Sequence, residues 1–297
     1  MQTSLNSVEI CAGGGGMALG IEQAGFKHVA VFDNDKYAYA TLLQNRSNWN
    51  PALEDIRELN GSKYEGVDLF AGGVPCPPFS IAGEQKGSDD ARDLFPEALR
   101  LIRQIQPRAV ILENVRGFSS ARFETYRRSL INELQQIGLL AQWRVINASD
   151  FGIAQLRPRF ILVALRPEYV PYFVWPEPLG RYITVAQAIG DLMRAGEWPG
   201  ADAWMTKANA IAPTLVGGSK KHGGADLGPT RAKKKWAELG IDGKGIADAP
   251  PSRLDPADKL PRLTIPMVAR LQGFPDSWAF QGGKPAQYRQ IGNALPP

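Results

Sequence analysis

Over the first 165 residues, short apolar runs alternate with longer amphipathic ones. "SVEICA", "HVAVFD", "VDLFAGG" and "RAVILENV" crowd β-branched and aromatic residues into runs ended by Gly, Asp or Asn, a pattern that predicts buried strands. Between them, "GMALGIEQAG" closed by Gly25, "LFPEALRLIRQIQP" ended at Pro107 and "YRRSLINELQQIG" ended at Gly138 predict helices. "WRVINA" and "RFILVAL" add two strands that suit a final antiparallel hairpin. The alternation implies an α/β domain with a mostly parallel sheet covered on both faces. From Trp175 the texture changes to prolines, glycines and short polar runs, with one helical stretch at "RAKKKWAEL". We therefore expect a first domain over residues 1–174 and a smaller, loop-rich domain over 175–260. A last segment, 261–297, carries the helical run "TIPMVARLQGF", expected to pack back on the first domain. No internal repeat is present.

Charge adds one feature. The 297 residues hold 34 Lys and Arg against 30 Asp and Glu, a mild excess that admits a polyanionic partner without identifying it. Between Gly217 and Arg262, however, ten basic residues face six acidic ones, a local +4 equal to the net charge of the whole chain. A surplus confined to one segment fits a phosphate-facing surface. Two cysteines, Cys11 and Cys76, and two histidines, His28 and His222, exclude a disulfide framework and a four-ligand zinc set. "MQTSLNSVEI" lacks the basic start and apolar core of an export signal, and no apolar run approaches the roughly 20 residues that span a bilayer. The expectation is a soluble, cytoplasmic protein.

The chemistry-bearing positions lie mainly in the first domain. "ICAGGGGMALG" sets Gly13, Gly14, Gly15 and Gly16 between a strand and a helix, where glycines let the backbone approach a ligand and the helix N-terminus offers unpaired N–H groups. Gly13, Gly15 and Ala18 fit the dinucleotide pattern, and Asp33 follows Gly13 by twenty residues, as an acid for a ribose hydroxyl should. A nucleoside cofactor is expected, and at this point a nicotinamide dehydrogenase fits as well. Asp55 and Ile56 fall where a third strand should end, placing an acceptor for an adenine amino group beside an apolar face, or simply a surface carboxylate. "GGVPCPPFS" wedges Cys76 among Pro75, Pro77 and Pro78 at the C-terminal edge of the sheet, where open α/β sheets bind ligands. Those prolines stiffen the loop around a thiol, which favours a nucleophile over an inert core cysteine. "VILENV" brings Glu113 to the same edge, as a proton donor or as a cap for the next helix. "QLRPRF" places Arg157 and Arg159 two apart, on one face if the segment is a strand, where they meet an anion or lie solvated at a strand edge. No Cys–His pair offers itself, which counts against a cysteine hydrolase.

Taken in order, these stretches resemble the bacterial DNA (cytosine-5)-methyltransferases of restriction–modification systems along nearly the whole chain. "RLTIPMVARLQGFPD" and "QIGNALP" match that family's two closing motifs. The resemblance implies a Rossmann-like methyltransferase sheet, S-adenosyl-L-methionine as cofactor and double-stranded DNA as substrate. It implies a cofactor site from Cys11 and Ala12 through the glycines to Asp33, Asn34, Asp55 and Ile56, with Pro75, Leu94 and Asn293 added. Cys76 is implied as the nucleophile that adds to C6 of a flipped-out cytosine, Glu113 as the acid at N3, and Arg159 with Arg157 as holders of the base and the nucleophile loop. The loop-rich 175–260 segment falls where the family keeps its target-recognition domain. DNA contacts are expected from Ser80 and from Lys220, Lys221, Arg231, Lys233, Lys234 and Lys235, although the lysine run also reads as a solvated helix face. Two positions depart from the family, Cys11 and Asn34 standing where aromatic rings normally sandwich adenine, so the grip is expected from Ile56 and other apolar contacts. Relatives normally continue with a further helix past "ALPP". A monomer, accompanied by an endonuclease for the same site, is expected. The competing readings are a transfer-RNA cytosine-5 methyltransferase and a catalytically silent DNA-binding relative.

Overall fold

Strands β1 (Asn6–Ile10), β2 (Lys27–Asp33), β3 (Pro51–Leu53), β4 (Leu69–Gly72), β5 (Ala109–Val115), β6 (Leu140–Asn147) and β7 (Pro158–Leu165) form one sheet in a computed structural model that describes residues 4–75, 93–218 and 224–297. Their order is β3-β2-β1-β4-β5-β7-β6. β1 runs parallel to β2 and β4, β2 to β3, and β4 to β5. β7 is antiparallel to β5, with Glu113 opposite Ile161 and Val115 opposite Arg159. The sheet is thus mostly parallel, as the apolar runs predicted, and its antiparallel pairing of β7 is with β5, where the sequence suggested a hairpin of the last two strands.

Four helices connect the strands: α1 (Gly16–Gln23), α2 (Lys36–Asn45), α3 (Phe95–Ile105) and α4 (Glu124–Gln136). α1 starts from Gly15 in the left-handed region, φ 85°, which a side chain there would strain. α2 is capped by Asp35, whose carboxylate accepts from the N–H groups of Tyr37 and Ala38. α3 carries Pro96 in its first turn and stops before Pro107, and its apolar stripe buries Phe95, Ala98, Leu99, Leu101, Ile102 and Ile105. That stripe packs with Leu130 and Leu134 of α4 and with Val8, Ile10, Phe70, Leu112, Phe160 and Leu162 of the sheet in one apolar cluster. Each such fully buried side chain contributes about 1.5–3 kcal/mol.

The chain leaves this body once and returns. Residues 1–146 and 158–176 make one compact unit, and residues 147–157 and 177–297 make a second. The second holds α5 (Val185–Arg194), α6 (Ala201–Lys207), α7 (Thr230–Glu238), α8 (Ile265–Leu271) and α9 (Lys284–Asn293), with Trp204, Trp236 and Tyr288 among its buried rings. α8 packs on α5 and α9. Residues 261–297 belong to the same compact unit as 177–260. Among the described residues no helix is long and apolar enough to cross a membrane.

Candidate active site

The strand order reverses between β1 and β4, and in an open α/β sheet the crevice beyond the C-terminal ends of the strands at that switch point receives the ligand. A cleft of about 290 Å³ lies there, lined by Cys11 after β1, Asp33 and Asn34 at the end of β2, Glu54, Asp55 and Ile56 after β3, Gly73 and Pro75 after β4, and Leu94. Every one of these except Glu54 and Gly73 was singled out in the sequence. A wider groove of about 550 Å³ opens near Arg103, Gln106 and Arg166, but its lining carries a single acid, Glu168.

The glycine loop is built around Asp33. Its carboxylate accepts from the N–H of Gly13 at 2.7 Å through one oxygen and from that of Asp35 at 2.7 Å through the other, so one side chain ties the loop to the end of β2. Gly13 has φ 54°, and a Cβ added there would meet no atom within 4 Å, so the loop presents open space and bare backbone. Cys11 also sits at positive φ, 52°, a strained conformation for a residue with a side chain. Burial, and then the charges of Asp33, Asp55 and Glu9, push its thiol well above the usual range, so Cys11 stays protonated and packs against the core. At the far wall Asp55 is held by Arg57, whose Nε and Nη2 donate to its two oxygens at 2.9 and 2.6 Å. That guanidinium is the main reason the Asp55 carboxyl is held down at about 2. An open cleft with carboxylates at Asp33, Glu54 and Asp55 suits a ligand with hydroxyl and amino donors and a positive charge, which S-adenosylmethionine is.

Two strands converge on the acid. Glu113 of β5 lies diagonal to Arg159 of β7, two residues from its direct partner and on the same face. Arg159 Nε donates to Glu113 Oε1 at 2.8 Å, each side chain 11% exposed. Burial depresses the Arg159 pKa and the Glu113 charge pulls it back up, so this is a matched pair in a dry place. The other Glu113 oxygen abuts the loop after β4, 3.3 Å from where a Cβ on Gly73 would sit, so a side chain there would press on the carboxylate. Next along β5, Asn114 donates from Nδ2 to the carbonyl of Val74 at 2.8 Å and accepts from Val115 N–H. Asn114 thereby pins the backbone two residues before Cys76. Cys76 itself, Ser80, Lys220 and Lys221 lie outside the described residues.

Arg157 does not share a face with Arg159. The strand begins only at Pro158, and Arg157 belongs to the 147–157 segment of the second unit. There it is fully buried, donating to the carbonyls of Leu215, Gly292 and Ala294 at 2.7 to 2.8 Å. Gln155 completes the knot, accepting from Leu215 N–H at 2.7 Å and donating to Gln272 Oε1 at 2.8 Å. Asn293 lies in the same unit and donates to the carbonyl of Gly218 at 3.1 Å. On α7, Lys233 is half-buried and paired with Asp226 at 2.7 Å, whereas Arg231, Lys234 and Lys235 are exposed. Asn114, Arg57 and Glu54 escaped the sequence reading. Arg57 had a signal, since an Asp two residues earlier often accepts its N–H, as Asp55 does here at 3.0 Å.

Comparison with known proteins agrees with this geometry. The family model described as C-5 cytosine-specific DNA methylase matches residues 5–297. The chain is 56% identical to the Type II methyltransferase M.NaeI of Lentzea aerocolonigenes, over 99% of this chain and 72% of that one. It is 48% identical to the Type II methyltransferase M.NgoMIV of Neisseria gonorrhoeae, over 98% and 93%. Among solved structures, a Spodoptera frugiperda DNMT2 variant superposes with a TM-score of 0.69 at 19% identity, covering 98% of this chain and 96% of that one. The Entamoeba histolytica methyltransferase EhMeth superposes with a TM-score of 0.67 at 16% identity, over 99% and 94%. At such identities these two speak for the fold alone.

Proposed function

The chain belongs to the C-5 cytosine-specific DNA methylase family, a DNA (cytosine-5)-methyltransferase using S-adenosylmethionine, and from that premise we propose that it modifies a specific double-stranded site through a covalent Cys76 adduct. The observation that carries the reading is the buried Glu113–Arg159 pair beside a loop whose entry Asn114 holds.

Carbons 5 and 6 of cytosine are unreactive toward both nucleophiles and electrophiles, and in a duplex they are hidden. The base is flipped out at a cost of a few kcal/mol. As the sulfur of Cys76 bonds to C6 the ring electrons move toward N3, and the proton given up by the thiol reaches N3 by way of the Glu113 carboxylate. Arg159 holds the Glu113 carboxyl in place and presents its remaining N–H groups to the base. C5 is now electron-rich, and the cofactor supplies an electrophilic methyl group on a sulfonium. Loss of the C5 proton to solvent, return of the N3 proton by way of Glu113 and cleavage of the sulfur–C6 bond restore the aromatic ring and the free thiol. The roles of the chain's residues in cofactor binding are positional: Gly13 and its neighbours give the close backbone approach, Asp33 and Asp55 accept from hydroxyl and amino donors, and Ile56 with Leu94 supplies apolar contact for adenine. Proline on both sides of Cys76 removes freedom before the reaction, which is how a sulfur is kept aligned with a ring carbon. In the cell, this modification protects the site from an endonuclease reading the same sequence, with the enzyme acting as a monomer.

The test is expression in a host without cytosine methylation, followed by bisulfite sequencing of a resident plasmid and of the host's transfer RNA, beside Cys76→Ala. Protected cytosines at one recurring short DNA sequence, absent with the variant, are expected. Protection confined to transfer RNA would move the substrate, and none anywhere, from folded protein, would leave a silent DNA-binding relative.

A further inference from the structure

The loop that follows Glu113 and Asn114 is braced to an extent that neither the cofactor nor the flipped base requires. Two short 3-10 turns, Arg116–Ser119 and Ala121–Phe123, carry the chain from β5 to α4. Arg127 of α4, itself buried, donates to the carbonyls of Phe118 and Ser120. The fully buried Phe118 anchors the loop among Phe95, Phe123, Tyr126 and Phe160. The hydroxyls of Ser119 and Ser120 donate back to the carbonyls of Arg116 and Gly117 at 2.8 and 2.7 Å. On this fixed base Arg116 and Arg122 are exposed. The Arg122 guanidinium rests over the Phe123 ring, 4.9 Å from its centroid, and lies 4.0 Å from where a Cβ on Gly117 would be. Neither arginine has a carboxylate partner among the described residues. Glu124, the next acid in the chain after Glu113, is already paired with Arg128 at 2.8 Å.

Two exposed guanidiniums on one braced loop, neither paired with an acid among the described residues, leave positive charge open to an anion. We propose that Arg116 and Arg122 hold backbone phosphates of the DNA strand that carries the target cytosine. This rests on the reading of the chain as a DNA methyltransferase. Arg116 follows Glu113 by three residues, about 10 Å of extended chain. One DNA strand rises about 3.4 Å per phosphate, so the arginines reach phosphates within a few nucleotides of the base that Glu113 meets. Such contacts fix register and orientation without reading sequence. Arg is the suitable residue, since its fork bonds a phosphate through two N–H groups at once.

The experiment is fluorescence anisotropy with a labelled 30-bp duplex of mixed sequence from 50 to 200 mM salt, using the full chain and its Arg116→Gln/Arg122→Gln variant. Glutamine keeps much of the stem that covers Phe123 and removes the charge. Each lost phosphate contact lowers the salt slope by about 0.9, so the variant's slope should flatten by about 1.8 and its loss of affinity across that range should shrink about twelvefold. Arg116→Lys/Arg122→Lys should restore most of the slope. An unchanged slope in the glutamine variant, with wild type binding and methylating DNA, would overturn the proposal and leave the enzyme assignment standing. A flattened slope in Arg116→Ala/Arg122→Ala but not in the glutamine variant would overturn it too, by showing lost packing on Phe123 instead of lost charge. Wild type that neither binds nor methylates DNA would sink the assignment on which the proposal rests.

Discussion

At the scale of single residues, the site is defined by carboxylates in three different environments. Asp33 takes one backbone N–H on each oxygen and keeps acceptor capacity, Asp55 is held ionised by Arg57, and Glu113 is buried against Arg159. Removing the Glu113 charge leaves Arg159 in a dry place without its counter-ion. Glu113→Gln should therefore cost about 3 kcal/mol in denaturant unfolding and slow single-turnover methyl transfer by at least about 10²-fold. A fourth carboxyl, Glu9 on β1, is 1% exposed, with neither oxygen in hydrogen-bond geometry. Burial, and then the Asp33 charge, raise its pKa well above the ordinary 4.5, and the Ala18 backbone offsets this only in part. An acid whose pKa rises on folding favours the folded state below its ordinary value and penalises it increasingly as the pH climbs above. Glu9→Gln should thus stabilise the protein at pH 8, by about 1–3 kcal/mol, with the gain fading as the pH falls toward 4.5. Equal gains at both ends in thermal melts would show that the carboxyl is not carried at this cost.

At the scale of elements, the QxRxR stretch divides its work. Arg159 enters β7 and reaches Glu113, while Arg157, one residue before Pro158 starts the strand, fastens residues 215 and 292–294. Arg157→Lys supplies one ammonium where a planar fork serves three carbonyls, so it should rescue little of the loss in Arg157→Met. Both should lower thermal stability by about 3 kcal/mol or more, without touching the Glu113–Arg159 pair. Close packing sharpens the point: a Cβ on Gly217 would fall 2.5 Å from Asn293 Oδ1 and 2.6 Å from the Arg289 carbonyl. On α7 the lysine run also divides. Lys233 precedes the buried Trp236 by three residues, hence shares its face and finds Asp226, while Lys234 and Lys235 stay exposed. Lys234→Ala/Lys235→Ala should weaken DNA binding for all sequences alike and flatten its salt dependence, whereas Lys233→Ala should chiefly loosen the α7 contact. A sequence-selective loss in the double variant would contradict that division. These distinctions were not legible in the sequence. Extended periodicity continued through Pro158 puts both arginines on one face, and spacing alone does not show which lysine meets an acid seven residues back.

At the scale of the whole molecule, the legible part was the part that chemistry constrains locally. A strand, four glycines and a helix fix a tight loop, and alternating apolar runs fix a sheet whose strands carry Asp33 and Glu113 toward their C-terminal ends, with Asp55 just past β3. What escaped was side-chain pairing: Asn114 on Val74, forty residues apart, and the grip of Arg57 on Asp55, two residues apart. The central claim is that Cys76 bonds covalently to cytosine while Glu113 assists. Fluorine at C5 cannot leave as a proton does, so a duplex carrying 5-fluorocytosine at the methylated site should arrest the reaction with the sulfur–C6 bond intact. With S-adenosylmethionine present, denaturing electrophoresis and mass spectrometry should show one duplex strand attached to wild type through Cys76, and none with Cys76→Ala. Methylation of the ordinary site without any trapped adduct, or an adduct that persists in Cys76→Ala, would contradict the account.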